Sequence, residues 1–130
     1  MQNFKDLKVW QKAHQFSLKV YNITRLFPKE ELFGLTNQLR RAAVSVAANI
    51  AEGCGRKTNK DFAYFLNISL GSANESEYFL ILSGDLKYIT EQDFQSLHME
   101  INEVKAMLIS LISKVRTKPA GPQKILKPGT

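Results

Sequence analysis

Apolar residues along this chain recur at helical rather than strand spacing. Over about 7–26, Val9, Phe16, Val20, Ile23 and Phe27 return every three, four or seven positions, beside Trp10, Ala13 and Tyr21. That spacing puts them on one face of a helix. Pro28 ends it, because proline donates no backbone hydrogen bond and disfavours helical geometry in the residue before it. A second helix is expected over 31–52, closed by Gly53 as the residue able to take left-handed backbone. The third, over 59–86, and the fourth, over 91–116, each follow the same start signal. Thr58-Asn59-Lys60-Asp61 and Thr90-Glu91-Gln92-Asp93 are capping boxes with Asp in the place of the commoner Glu.

The fourth segment has the most regular pattern. Phe94, Leu97, Ile101, Val104, Leu108, Leu111 and Val115 follow a strict heptad seam. No stretch alternates with period two for long enough to make a strand. Four long helices with short loops predict an all-α, up-down-up-down antiparallel four-helix bundle over 1–116. Three of the four prolines fall in 117–130, which reads as a flexible basic tail.

Composition narrows the class without naming a function. With 44% hydrophobic and 23% charged residues among 130, the chain can bury a core as one soluble domain. No run of eighteen apolar residues occurs, and "MQNFKDLKVWQKAH" lacks the pattern of a secretory leader. Cys54 is the sole cysteine, so no intrachain disulfide is possible and a cytoplasmic location is expected. Charge is unevenly spread. Residues 1–60 carry eleven Lys/Arg against four Asp/Glu, whereas 61–116 carry four against eight. Such asymmetry suits an acidic partner for the basic half, or copies docking basic face to acidic face.

The second helix is unusually thin. Ala42, Ala43, Ala47, Ala48 and Ala51, with Ser45, occupy positions where a core helix would carry bulk. Small side chains let helices approach closely. Two readings stand: a close pair inside one bundle, or contact with a neighbouring copy through Ala43, Ala47, Ala48 and Ala51.

The strings "LRRAAVSVAANIAEGCGR", "FAYFLNISLGSANESE" and "KVWQKAHQFSLKVY" resemble the four-helix-bundle proteins encoded in intervening sequences of bacterial 23S rRNA genes. That fold also includes the accessory variability protein of diversity-generating retroelements. The resemblance covers about 4–116. It implies a four-helix protomer, a ring-shaped homopentamer with a basic surface, and, in the retroelement branch, nucleic-acid binding. It attaches no enzyme activity. The chain departs from the family pattern at Ala73-Asn74-Glu75-Ser76-Glu77, where Leu-Ala-Glu-Leu-Glu is usual.

Several residues are candidates for a site. Lys5, Lys8, Lys12 and Lys19 make a stripe on the first helix that could track a phosphate backbone, or could simply be its solvated face. Arg56, Lys57 and Lys60 surround the start of the third helix, where free N–H groups favour anions. This is no phosphate loop, because the glycine pattern is wrong and a helix leads into it. Arg40 or Arg41 could reach Glu75 across an antiparallel pair, forming a structural ion pair if buried and two solvated charges if not. His14 and His98 are preceded three residues earlier by Gln11 and Gln95, so the Glu-x-x-His signature of metal-binding bundles is missing. No metal, cofactor, catalytic residue or small-molecule substrate is expected, and no membrane association. Tyr64, Tyr78 and Tyr88 could stack bases or pack an interface.

The leading expectation is a non-enzymatic homo-oligomeric scaffold that binds structured RNA or a ribonucleoprotein. The competing one is a protein–protein adaptor with no nucleic-acid role. An enzyme built inside the bundle has no motif behind it.

Overall fold

A computed structural model describes residues 2–117. Four helices make up most of them: α1 (Lys8–Thr24), α2 (Leu35–Cys54), α3 (Asn59–Asp85) and α4 (Glu91–Thr117). Short 3₁₀ turns at Phe4–Asp6 and Lys29–Glu31 precede α1 and α2, and no strand occurs among the described residues. The tail expected over 117–130 lies outside the described residues beyond Thr117.

Cross-helix bonds fix the directions. Ser17 of α1 bonds to Ala43 of α2, and Thr24, further along α1, meets Arg40, earlier in α2. Ser69 and Ser72 of α3 meet Val46 and Ser45 of α2. Lys12 and Lys19 of α1 reach Glu103 and Glu100 of α4. Each register descends on one helix as it rises on the other, so neighbours run antiparallel. α1–α2, α2–α3, α3–α4 and α1–α4 all pack, closing an all-α four-helix bundle. Phe16, Leu39, Ile50, Leu66, Leu80, Ile101 and Leu108 are fully buried at its centre.

Helix ends follow the caps where caps exist. Thr58 Oγ1 accepts the Asp61 N–H and Thr90 Oγ1 the Asp93 N–H, each at 3.1 Å. Only the threonine half of each capping box forms among the described bonds; Asp is one methylene shorter than Glu and does not reach back. α2 starts at Leu35, four residues later than its periodicity suggests. Glu31 is the reason: its carboxylate accepts the Leu35 N–H at 3.1 Å and the Tyr88 hydroxyl at 2.9 Å, so it caps the helix from outside.

Gly53 serves another purpose than the one expected. No glycine among the described residues has positive φ, and α2 runs past Gly53 to Cys54. A Cβ at Gly53 would lie 3.0 Å from Phe62 Cδ1 and 3.1 Å from Phe65 Cβ. Its lack of a side chain lets α3 leave the turn hard against α2.

The α4 seam also shifts. Leu97, Ile101, Val104, Leu108, Ile112 and Val115 are buried, while Phe94 and Leu111 are only half-buried. Steps of 4-3-4-4-3 keep to about 3.6 residues per turn, so the buried stripe follows a straight helix instead of a supercoiled heptad.

The alanines of α2 serve close packing in the protomer. Ala42, Ala43 and Ala47 are buried. Flanking helices come near enough for Ser17 Oγ to donate to the Ala43 carbonyl at 3.1 Å and Ser69 Oγ to the Val46 carbonyl at 2.7 Å. Ser76, at an unusual polar core position, is fully buried and donates to the Ser72 carbonyl at 2.9 Å, so its hydroxyl is satisfied. Ala48 faces outward and Ala51 is half-buried.

A cationic end as candidate nucleic-acid interface

The lysine stripe of α1 is divided by the fold. Lys12 Nζ lies 3.0 Å from Glu103 Oε1, and Lys19 Nζ lies 2.6 Å from Glu100 Oε2. Both cations lean on α4, whose acidic residues lie 81 and 91 positions away in sequence. These partly exposed pairs are each worth at most about 1 kcal/mol, but they compensate the charge on that face. Lys5 and Lys8, by contrast, are exposed and enter no ion pair among the described residues.

Arg40, Arg41 and Glu75 are not brought together. Arg40 sits on the α1 side of α2, where its Nε donates to Thr24 Oγ1 at 2.8 Å and its guanidinium lies 4.7 Å from the centre of the Tyr21 ring. Arg41 and Glu75 are both exposed, and neither forms an ion pair among the described residues. The half-buried acid of α3 is Glu77, two residues on and turned toward α4. Its Oε1 accepts from Lys105 Nζ at 2.6 Å, and its Oε2 lies 2.8 Å from His98 Nε2. Asn102 completes the group, 3.3 Å from His98 Nε2. The Lys105 hydrogen bond holds the Glu77 carboxyl below the usual carboxylate range, against burial, with His98 adding to the effect. Sequence reasoning missed this cluster. Its signal was the polar series His98, Asn102, Lys105, running at helical spacing beside the α4 core stripe.

Arg56, Lys57 and Lys60 stand at the α2–α3 corner, all exposed. Antiparallel packing gathers four helix termini there: the start of α1, the end of α2, the start of α3 and the end of α4. Lys5 and Lys8 come from the first terminus, Lys114 and Arg116 from the last. Seven cations therefore converge on one end of the bundle, accompanied by Asp6, Glu52 and Asp61. Lys114 and Arg116 were readable as last-turn cations on α4, but only the topology carries them to Arg56 and Lys57. Arg56 is held in place by Glu52 at 3.0 Å and by the Phe65 ring, 4.7 Å from its guanidinium carbon. Lys57 and Lys114 line a common cavity, with the buried Cys54 thiol in its wall. Burial pushes that thiol's pKa up, keeping it protonated and unreactive at neutral pH.

Elsewhere, the described residues hold no group of three His, Cys, Asp or Glu placed to bind a metal, and no helix long and apolar enough to cross a membrane. Tyr64 and Tyr78 are exposed on α3, and Tyr88 is engaged with Glu31.

Comparison with known proteins agrees with this architecture. The family described as "23S rRNA-intervening sequence protein" matches residues 5–110. A crystal structure from Bacteroides thetaiotaomicron, of a protein with unknown function from the S23 ribosomal protein family, is 33% identical. The match covers 80% of this chain and 97% of that one, with a TM-score of 0.75. No curated protein matches the chain.

Proposed function

The chain belongs to the 23S rRNA-intervening sequence protein family, and on that premise we propose that it is a non-enzymatic, self-associating cytoplasmic scaffold that binds structured RNA, or a ribonucleoprotein, through its cationic end. One observation carries the RNA-binding part: Lys5, Lys8, Arg56, Lys57, Lys60, Lys114 and Arg116 share that end although they come from four helix termini. Such a cluster attracts phosphates without reading bases, so shape and charge set its preference. Lysine acts here as a point charge.

Self-association is supported by a different face. Val44 and Ala48 of α2 are exposed, as are Tyr64 and Ile68 of α3, the helix packed against it. An unpartnered apolar strip of this kind suits contact with a second copy, and resemblance to the family gives five as the copy number. That strip also supports the second reading, an adaptor whose cationic end docks an acidic protein.

Binding of structured RNA followed by fluorescence anisotropy at about 50 mM salt and again at higher salt separates the two, because phosphate contacts are strongest at low salt. Absence of binding at the lower salt favours the adaptor. Light scattering measures the copy number, and Ala48→Arg with Ile68→Glu should reduce it to one. A native protein that stays monomeric at high concentration removes the scaffold.

A further inference from the structure

Between the α2–α3 corner and the last turns of α4 lies a cavity of about 450 Å³. Its wall is partly apolar, from Phe62, Leu111 and Val115, and its rim carries Arg56, Lys57 and Lys114. No Asp or Glu lines it. The volume lies within the roughly 300–1,000 Å³ of small-ligand sites, which combine apolar walls with a few polar groups. Arg56 is pinned by Glu52 and Phe65, whereas Lys57 and Lys114 form no ion pair among the described residues. Two uncommitted cations from different helices thus border a recess that is apolar on one part of its wall and polar on the rest, where Gln2, Thr58 and Asn59 contribute. The ligand that matches has a flat, weakly polar part and one compact anionic group.

We infer that this cavity binds a nucleoside monophosphate, with the base against Phe62 and Leu111 and the phosphate between Lys57 and Lys114. Two sources supply that chemistry: the phosphorylated terminal nucleotide of an RNA strand, or a free nucleotide. For the first source the inference rests on the RNA-binding reading above, and it makes that reading more specific. A strand engages a recess of this size by its end, whereas a bare patch of cations accepts any part of the backbone.

The test uses the full chain, adenosine 5′-monophosphate, and one short single-stranded RNA prepared linear with a 5′-phosphate and circular without ends. Amide chemical shifts report the location, and titrations report affinity for the native chain and for Lys57→Gln/Lys114→Gln. Both substituted residues are exposed, and a matching thermal melt verifies that the fold is kept. Adenosine monophosphate should shift Lys57, Phe62 and Leu111, and each lysine lost should weaken it about tenfold or more, as for hydrogen bonds to a charged group. Linear RNA binding more tightly than circular RNA identifies the strand end as the source. Equal binding of both, with adenosine monophosphate still in the cavity, identifies the free nucleotide. If the nucleotide shifts no cavity amide, the inference falls even where RNA binds, and the cationic-end reading survives. Silence toward every probe overturns the inference, whereas the cationic-end reading stands or falls with the structured-RNA titration at low salt.

Discussion

Ser69 of α3 donates its hydroxyl to the main-chain carbonyl of Val46 in α2 at 2.7 Å, at a position closed to water. A side chain as short as serine spans the gap because α2 and α3 run close together there, where Ser72 Oγ also donates to Ser45 Oγ at 2.9 Å. Ser69→Ala removes one such bond and should lower stability by about 1 kcal/mol. Ala43→Leu, which puts bulk where α1 and α2 meet, should cost about 1–3 kcal/mol or more. Urea unfolding measures both. A neutral Ala43→Leu would show that the helices are not in close contact.

Two glycines should respond with opposite sign. Gly71 lies in mid-α3, and a Cβ added there would meet nothing within 4 Å, so Gly71→Ala should stabilise by about 0.5–1 kcal/mol through helix propensity. Gly53 faces Phe65 Cβ at 3.1 Å and the Phe62 carbonyl oxygen at 3.3 Å, atoms that cannot rotate aside. Gly53→Ala should therefore destabilise, by about 1–3 kcal/mol. Thermal melts that rank the two variants the other way would contradict the packing at this corner.

Lys87 ends α3 with φ of 65°, the left-handed region. Its N–H bonds to the Gly84 carbonyl and the next N–H, of Tyr88, to that of Ser83, the paired bonds of a Schellman turn. A side chain there opposes the backbone, and Lys87→Gly should gain about 1 kcal/mol. A melt unchanged or lowered by this substitution would argue that the lysine side chain is held by contacts of its own.

The Glu77 carboxyl has a lowered pKa in the folded state, chiefly through Lys105. Its contribution to stability is complete above the unfolded Glu range, about pH 4.3, and is lost as pH falls through the lower folded value. Glu77→Gln should be less stable than the native chain at neutral pH and lose less on acidification. Unfolding curves collected from neutral to acid pH provide the check; parallel profiles would mean that the carboxylate gains nothing from α4.

RNA binding should separate the lysines of α1. Lys5→Gln and Lys8→Gln, at the cationic end, should each reduce the salt dependence of log K by up to about 0.9 on a duplex. Lys12→Gln and Lys19→Gln should change it little, since Glu103 and Glu100 already compensate them. An equal effect at all four positions would restore the whole stripe as the binding surface.

Local signals were legible where their chemistry is local. Thr58 and Thr90 announced α3 and α4 because a cap is made within a single turn. α2 was harder to start, since Glu31 caps it from outside and is itself held by Tyr88, 57 residues away. Gly53 was legible as a special position, but whether it serves a left-handed turn or a close approach depends on where Phe62 and Phe65 fall. The heptad reading of α4 chose Leu111 over Ile112, both apolar, because the drift between 3.5 and 3.6 residues per turn shows only late in a long helix. The candidate site suffered most. Lysine spacing on α1 reveals a common face, but what that face meets is decided by a helix that begins at Glu91.

The ties from Lys12 to Glu103 and from Lys19 to Glu100 also have a bearing on synthesis. Translation delivers the positively charged first sixty residues well before either glutamate exists. The growing polypeptide thus reaches its highest net charge about halfway through synthesis, when eleven Lys/Arg face four Asp/Glu, in the neighbourhood of ribosomal RNA. Arrival of the final helix brings the acidic partners of two of those lysines, and among the described residues seven cations then stand together at one pole.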